Sequence, residues 1–280
     1  MTLAEAAAAI TSATGGPHAA ASPVEPSSQS PSASAGNGNE GDPGSDVTTG
    51  PTILASVTGS GFGCRLSSDG TLRCQGRNVD GQLGDGTTTD RTEPVLVAGI
   101  NTATAIAAGA NHACALLADA SLTCWGNGYY GQLGTGEEQD SPVSLPIKVP
   151  GLGNVASIAA GFAHTCAASA DGTAWCWGKN DDGQLGDGST ADRDAPVRVE
   201  GLRDIRTVVA GDDHTCALAA DGTAWCWGNN AFGQLGDSTT TNRREPVAVS
   251  GVTGATAIEA YANQTCVTHA GTVRTCVGQA

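Results

Sequence analysis

Apolar positions in this chain come in short runs broken by Gly, Asp or Asn turns, and the runs recur about every fifty residues. Each repeat holds four runs. The first alternates after a proline: Val95-Leu96-Val97, Ile147-Lys148-Val149, Val197-Arg198-Val199 and Val247-Ala248-Val249. Proline at its entrance removes a ladder donor, which suits a strand start or edge. The second is small and apolar, as in Ala103 to Gly109, Val155 to Gly161 and Ile205 to Gly211. Its low side-chain volume lets backbones approach closely, as they must near a crowded axis. The third and fourth form a hairpin. Runs this short read as strands, and a period this long reads as a propeller or similar array.

The fullest copy, residues 164–188, reads HTCAASADGTAWCWGKNDDGQLGDG and matches residues 214–237 almost residue for residue at an offset of fifty. Looser copies run from His112 to Gly136 and from Phe62 to Gly86, and a last one starts at Gln264. The cysteines keep the count: Cys64 and Cys74, Cys114 and Cys124, Cys166 and Cys176, Cys216 and Cys226, Cys266 and Cys276 are pairs ten residues apart. If Cys166 lies opposite Cys176, Ser169 faces Thr173. The loop Ala170-Asp171-Gly172 is then a type I turn closed by a left-handed residue, where Gly is wanted. Gly70, Gly172 and Gly222 fit that place, Gly271 fits it less neatly, and Ala120 breaks the rule. Counting back makes 166 and 176 a non-hydrogen-bonded pair, with Cα atoms roughly 4.5 Å apart and within disulfide range. Five cross-strand disulfides are therefore expected, each contributing on the order of 2 to 3 kcal/mol by closing a short loop.

Between hairpins stands G-Q-L-G, at Gly81 to Gly84, Gly131 to Gly134, Gly183 to Gly186 and Gly233 to Gly236. Its glycines are expected at positive φ or at close backbone approaches, with the leucine as a plug between sheets. Trp125, Trp177 and Trp227 are expected to pack between blades, and Trp175 and Trp225 on the opposite face of the same strand.

Composition separates the first fifty residues from the rest. They hold five acids and no Lys or Arg, too little apolar surface to offset ordering entropy, so residues 1–50 are expected to be a disordered tail before a domain spanning 51–280. The start, MTLAEAAAAITSATGG, has no basic region, carries Glu5, and is too short and alanine-rich to read as a signal peptide or a membrane span. Ten paired cysteines point to an oxidising compartment, extracellular or in the cell envelope, with no leader visible in this chain. The net charge of −15 argues against nucleic acid, whose phosphates need clustered Lys and Arg. A basic partner, or simply solubility, suits it better.

Together, H-T-C-A-x-x-x-D-G-T-x-x-C-W-G-x-N-x-x-G-Q-L-G-D-G resembles the repeat of the regulator of chromosome condensation family, over the stretch from Ile53 onward. The resemblance implies an all-β fold, a β-propeller that in the family usually has seven blades. This chain departs from it with five copies, and with a cysteine pair in each hairpin that looks more like secreted bacterial members. The expected architecture is about five four-stranded blades, in a closed ring or an open arc. The segment after Pro43, around Val47, is expected to supply a strand that the first copy lacks.

His112, His164 and His214 each precede a cysteine by two residues. A zinc site built from His164, Cys166 and Cys176 lacks a fourth ligand, and Phe62 and Gln264 replace the histidine in two copies, so buried, hydrogen-bonded histidines are expected. Turn acids such as Asp187 and Asp237 lack the spacing of a calcium loop and are expected to be solvated. No nucleophile with its base, phosphate loop or carboxylate pair stands out, so no catalysis, cofactor or small-molecule ligand is expected.

The repeats differ in two places. Before G-Q-L-G stand Val79-Asp80, Tyr129-Tyr130, Asp181-Asp182 and Ala231-Phe232; before the histidine position stand Ala110-Asn111, Phe162-Ala163, Asp212-Asp213 and Ala262-Asn263. Variation on a constant frame marks a partner-binding face, with Tyr129, Tyr130, Phe162, Phe232, Asp181, Asp182, Asp212 and Asp213 as its candidates. The reading is a non-catalytic protein-interaction module. The family resemblance also allows a guanine nucleotide exchange factor or chromatin-type regulator, and secreted propellers of this kind allow an inhibitor of an enzyme such as a β-lactamase.

Overall fold

The computed structural model describes residues 50–137, 139–269 and 274–279, and every regular element among them is a strand. The expected tail, the segment around Val47 and Gly271 lie outside the described residues. Blade one is β1 (Ile53–Thr58), β2 (Phe62–Ser67), β3 (Leu72–Gly76) and β4 (Arg91–Leu96), hydrogen-bonded in that order. Blade two repeats the order with β5 (Ala103–Ala108), β6 (His112–Leu117), β7 (Leu122–Gly126) and β8 (Val143–Lys148). Blade three holds β9 (Val155–Ala160), β10 (His164–Ser169), β11 (Ala174–Gly178) and β12 (Arg193–Arg198). Blade four holds β13 (Ile205–Ala210), β14 (His214–Ala219), β15 (Ala224–Gly228) and β16 (Arg243–Ala248). Blade five has three strands among the described residues, β17 (Ala255–Tyr261), β18 (Asn263–His269) and β19 (Arg274–Gln279).

The proline run closes a blade instead of opening one, which corrects the expected strand order. After G-Q-L-G the chain turns back onto the hairpin it has just left, so Val95 pairs with Cys74 and Arg91 with Gly76. Blade one is thus complete from Ile53 and needs no strand from around Val47. The small apolar strands β1, β5, β9, β13 and β17 are innermost, packed one against the next around the axis. Alanine and valine there allow the close approach that larger side chains would block. Blade five does not pack on blade one as the other neighbours pack: Arg274 and Cys276 on one end face and Arg65 and Arg73 on the other are exposed. Among the described residues the blades form an arc.

Within each hairpin the register is the expected one. Ser169 N–H donates to Thr173 O, Gly172 N–H donates to Ser169 O, and Cys166 lies opposite Cys176. All five disulfides form, with Cα atoms 4.0 to 4.1 Å apart. Gly172 has φ +84°. Ala120 takes the same place at φ 62°, where its Cβ crowds the carbonyl that follows it. Relieving that crowding by Ala120→Gly is expected to raise stability by about 1 kcal/mol, checked by urea unfolding; an unchanged or lower midpoint contradicts the strain.

Alternation along the hairpin sends cysteines to one side of the sheet and their neighbours to the other. Cys64 and Cys74 pack toward blade two with Ile106, Ala113 and Trp125. Trp175 joins Trp177 in the cluster shared with blade two, so it lies on the same face as Trp177 and not the opposite one. Residues 175 and 177 are two apart, and a period of two requires it.

Candidate functional site

Four junctions join the blades, and three of them share a polar seam. Trp125 Nε1–H donates to the Gln82 carbonyl, Trp177 to that of Gln132 and Trp227 to that of Gln184, each at 2.9 Å. Each of these indoles is fully buried. Gly84, Gly134 and Gly186 lie under them, where an added Cβ would come within 2.7 to 2.8 Å of the indole nitrogen. Leu83, Leu133, Leu185 and Leu235 are buried plugs.

The histidines follow from the same seam. Thr165 and Thr215 donate their hydroxyls to the Gln132 and Gln184 carbonyls at 2.8 Å. A hydroxyl has one proton to give. The 2.9 Å contacts to these oxygens from His112 and His164 are therefore Nε2–H donations, which leaves Nδ1 of both rings buried without a hydrogen-bond partner among the described residues. Burial and then the nearby His164 lower His112 to about 3; burial and then Lys179 do the same to His164. His214, 2.9 Å from Thr265 Oγ1, is also lowered to about 3, by burial and then His164, against an opposing pull from the Ala262 backbone. These are neutral structural rings. At the first junction both partners change together, to Phe62 and Ala113.

A backbone staircase runs around the axis above the histidines. Ser60 N–H donates to Ala110 O, Ala110 to Phe162, Phe162 to Asp212 and Asp212 to Ala262, over 2.8 to 3.1 Å. It sets the first variable pair of each blade beside that of the next. The second variable segment is tied to the first within each blade: Asn127 N–H donates to Asn111 O, Lys179 to Ala163 and Asn229 to Asp213. Both variable places thus open on one face, and all eight residues singled out in the sequence lie there.

Tyr129 is 66% exposed and meets Tyr130 edge to face, ring centroids 5.0 Å apart. Phe162 and Phe232 are 45% and 48% exposed. Asp181 is exposed, and Asp182 accepts from Asn242 of the next blade at 2.7 Å. Lys179 Nζ sits 3.3 Å from Asp213 and 3.8 Å from Asp181. Burial pulls its pKa down, but these carboxylates outweigh it and raise the net value. Asp212 is half-buried, its Oδ1 without a partner among the described residues, and burial, then the charge of Asp213, raises its pKa. Among the described residues no group of three or more His, Cys, Asp or Glu is placed to hold a metal.

Sequence reasoning missed what holds these loops. Asn78, Asn180 and Asn230 are fully buried. Each accepts at Oδ1 from the leucine amide of G-Q-L-G and donates through Nδ2 to Asp85, Asp187 or Asp237. Those acids in turn hold Arg91, Arg193 and Arg243 at 2.8 Å through Nε. Asp187 and Asp237 side chains are only 8% exposed, which corrects their reading as solvated turn acids. The fixed Asn, Asp and Arg spacing in three copies was the available signal. Blade two has Gly128 and Thr135 there, and its Tyr129-Tyr130 loop instead hangs on Asn127, which takes Gln132 Nε2–H and Tyr129 N–H.

No curated protein matches the sequence. Solved structures do: human WBSCR16 at 23% identity and TM-score 0.69, over 76% of this chain and 56% of that one. Prp20p from Saccharomyces cerevisiae follows at 22% and 0.65, over 78% and 56%. The same yeast protein, as RCC1 (Prp20) bound to Kap60, matches at 24% and 0.62, over 73% and 50%. The chain spans about half the length of these structures, and at such identities they show the fold alone. The profile of the RCC1-like domain matches residues 14–278, nearly the whole sequence, and the chain belongs to that family.

Proposed function

We propose that this protein is a non-catalytic protein-interaction module of an extracellular or cell-envelope compartment. It presents the variable loop face to a protein partner. The observation that carries this is the gathering of Tyr129, Phe162 and Phe232, all exposed, on one face of a frame that hydrogen bonds and disulfides otherwise fix. Large aromatic side chains on a rigid support are the usual anchors of protein interfaces. Asp181, Asp182, Asp212 and Asp213 around them favour a basic patch on the partner. Five disulfides are compatible with an oxidising compartment, and no helix among the described residues is long and apolar enough to cross a membrane.

The test is affinity capture from culture fluid and envelope extract with the intact chain and with a Tyr129→Ala, Phe162→Ala, Phe232→Ala variant of unchanged melting temperature. Loss of the three anchors is expected to weaken capture about a hundredfold or more, since hot-spot truncations cost roughly 2 kcal/mol or more each. Equal capture by both chains rejects the face. A second reading rests on the likeness to Prp20p, whose structure was described with its binding to Gsp1p and histones. A nucleotide-exchange assay with a small GTPase separates the two, because only the second predicts acceleration.

A further inference from the structure

We propose that the acidic stretch from Glu40 to Asp46 of this same chain docks on the outer sheet face of blade one, across Arg65 and Arg73. This surface is separate from the loop face. In blades two to four the equivalent sheet face is covered by the preceding blade and carries no charge: Ala115 stands opposite Thr123, Ala167 opposite Trp175 and Ala217 opposite Trp225, and Trp125, Trp177 and Trp227 are fully buried. In blade one the same places hold Arg65, Arg73 and Gln75, with Gly63 where Thr165 stands in blade three. No blade precedes it among the described residues. Arg65 and Arg73 are directly opposed across β2 and β3, both exposed, and neither forms a salt bridge among the described residues. Two like charges set opposite each other on a sheet repel. An anion between them removes the repulsion. Ser56, Gly63, Arg65 and Gln75 line a shallow hollow at this place, and Gly63 leaves room over the sheet.

The chain carries the complement next door. Glu40, Asp42 and Asp46 precede β1, the inner strand of this blade, and the first fifty residues hold no Lys or Arg to offset them. Six residues lie between Asp46 and Ile53, and the seven steps from one to the other reach up to about 25 Å. A tether this short raises the local concentration of the segment to roughly millimolar. The family profile begins matching at residue 14, ahead of the first described strand. A second copy is a poorer occupant: on the end face of blade five, Glu259 is already bound by Arg274 at 2.6 Å, and that guanidinium lies 5.9 Å from the Tyr261 ring centre.

Hydrogen–deuterium exchange on the full chain tests this. At low salt, amides in residues 40–49 are expected to exchange roughly three- to tenfold more slowly than in an Arg65→Glu, Arg73→Glu variant, the range that two or three exposed ion pairs allow. Glu40→Lys, Asp42→Lys, Asp46→Lys alone should remove the slowing, and all five substitutions together should restore it. Each chain is compared with its own unprotected rates. Equal exchange in the wild type and the arginine variant overturns the proposal. So does a combined variant that restores nothing, or a slowing that grows with protein concentration, which marks a second copy as the occupant.

Discussion

Complete reduction of the five disulfides is expected to unfold the arc at neutral pH. Each bridge spans ten residues in sequence and contributes about 2 to 3 kcal/mol by restricting the unfolded chain. Five of them amount to roughly 10 to 15 kcal/mol, as much as the whole stability of an ordinary domain. The effect is this large because the core is poor in bulk: inner strands of alanine and valine bury little apolar area for each residue they order. Tryptophan fluorescence reports it directly, since Trp125, Trp177 and Trp227 are fully buried and shift to the red when water reaches them. The bridges should open in order. Cys276 is exposed, whereas every other cysteine is at most 1% exposed. Graded reductant with mass mapping should therefore find the Cys266–Cys276 bridge opened first. A reduced and alkylated chain that keeps its cooperative melt contradicts the assignment of stability to these bridges.

Acid should destabilise the arc well above the pH at which carboxylates protonate. His112, His164 and His214 are lowered from 6.5 to about 3 in the fold, so between those values the unfolded chain binds more protons and stability falls as the pH drops. At pH 5 the loss is about 2 kcal/mol for each ring and roughly 6 kcal/mol for all three, as an upper bound. The acids act lower down. Burial raises Asp237, but hydrogen bonds from Thr239 and Arg243 outweigh it and hold the group at about 2; its contribution is lost only as the pH falls from about 3.8 toward that value. Urea midpoints between pH 7 and 4.5 should thus decline steeply. His112→Phe with Thr165→Ala, which copies Phe62 and Ala113 of the first junction, should flatten the decline by about a third. A flat profile in the wild type would falsify the burial of neutral rings.

The register of the hairpins was legible in the sequence because turn chemistry and cysteine spacing constrain it independently, although the face taken by Trp175 was misread. Strand order was not. A proline-led run reads equally well as the opening of one repeat or the close of another, and only the pairing of Val95 with Cys74 decides. The variable loops themselves were legible, since loops tolerate change where the frame does not; that they bind a partner is the proposal made above. Its support was harder to read. Asn180, Asp187 and Arg193 are spread over fourteen residues, and a turn acid looks solvated until the asparagine that buries it is placed. The opposed arginines of blade one escaped notice for a related reason. Alone they are ordinary surface charges, and they gain meaning only when uncharged pairs, such as Ala167 with Trp175 or Ala115 with Thr123, are seen to occupy the same places in the other blades.

Because the outer strand returns to its own hairpin, every four-stranded blade is an unbroken stretch of chain, from Ile53 to Leu96 in the first and from Ala103 to Lys148 in the second. Among the described residues no strand is lent across a junction. A tandem duplication of one repeat therefore inserts a finished wedge and leaves its neighbours intact, so the row of variable loops can lengthen, or change one tile at a time, by simple copying of a gene segment.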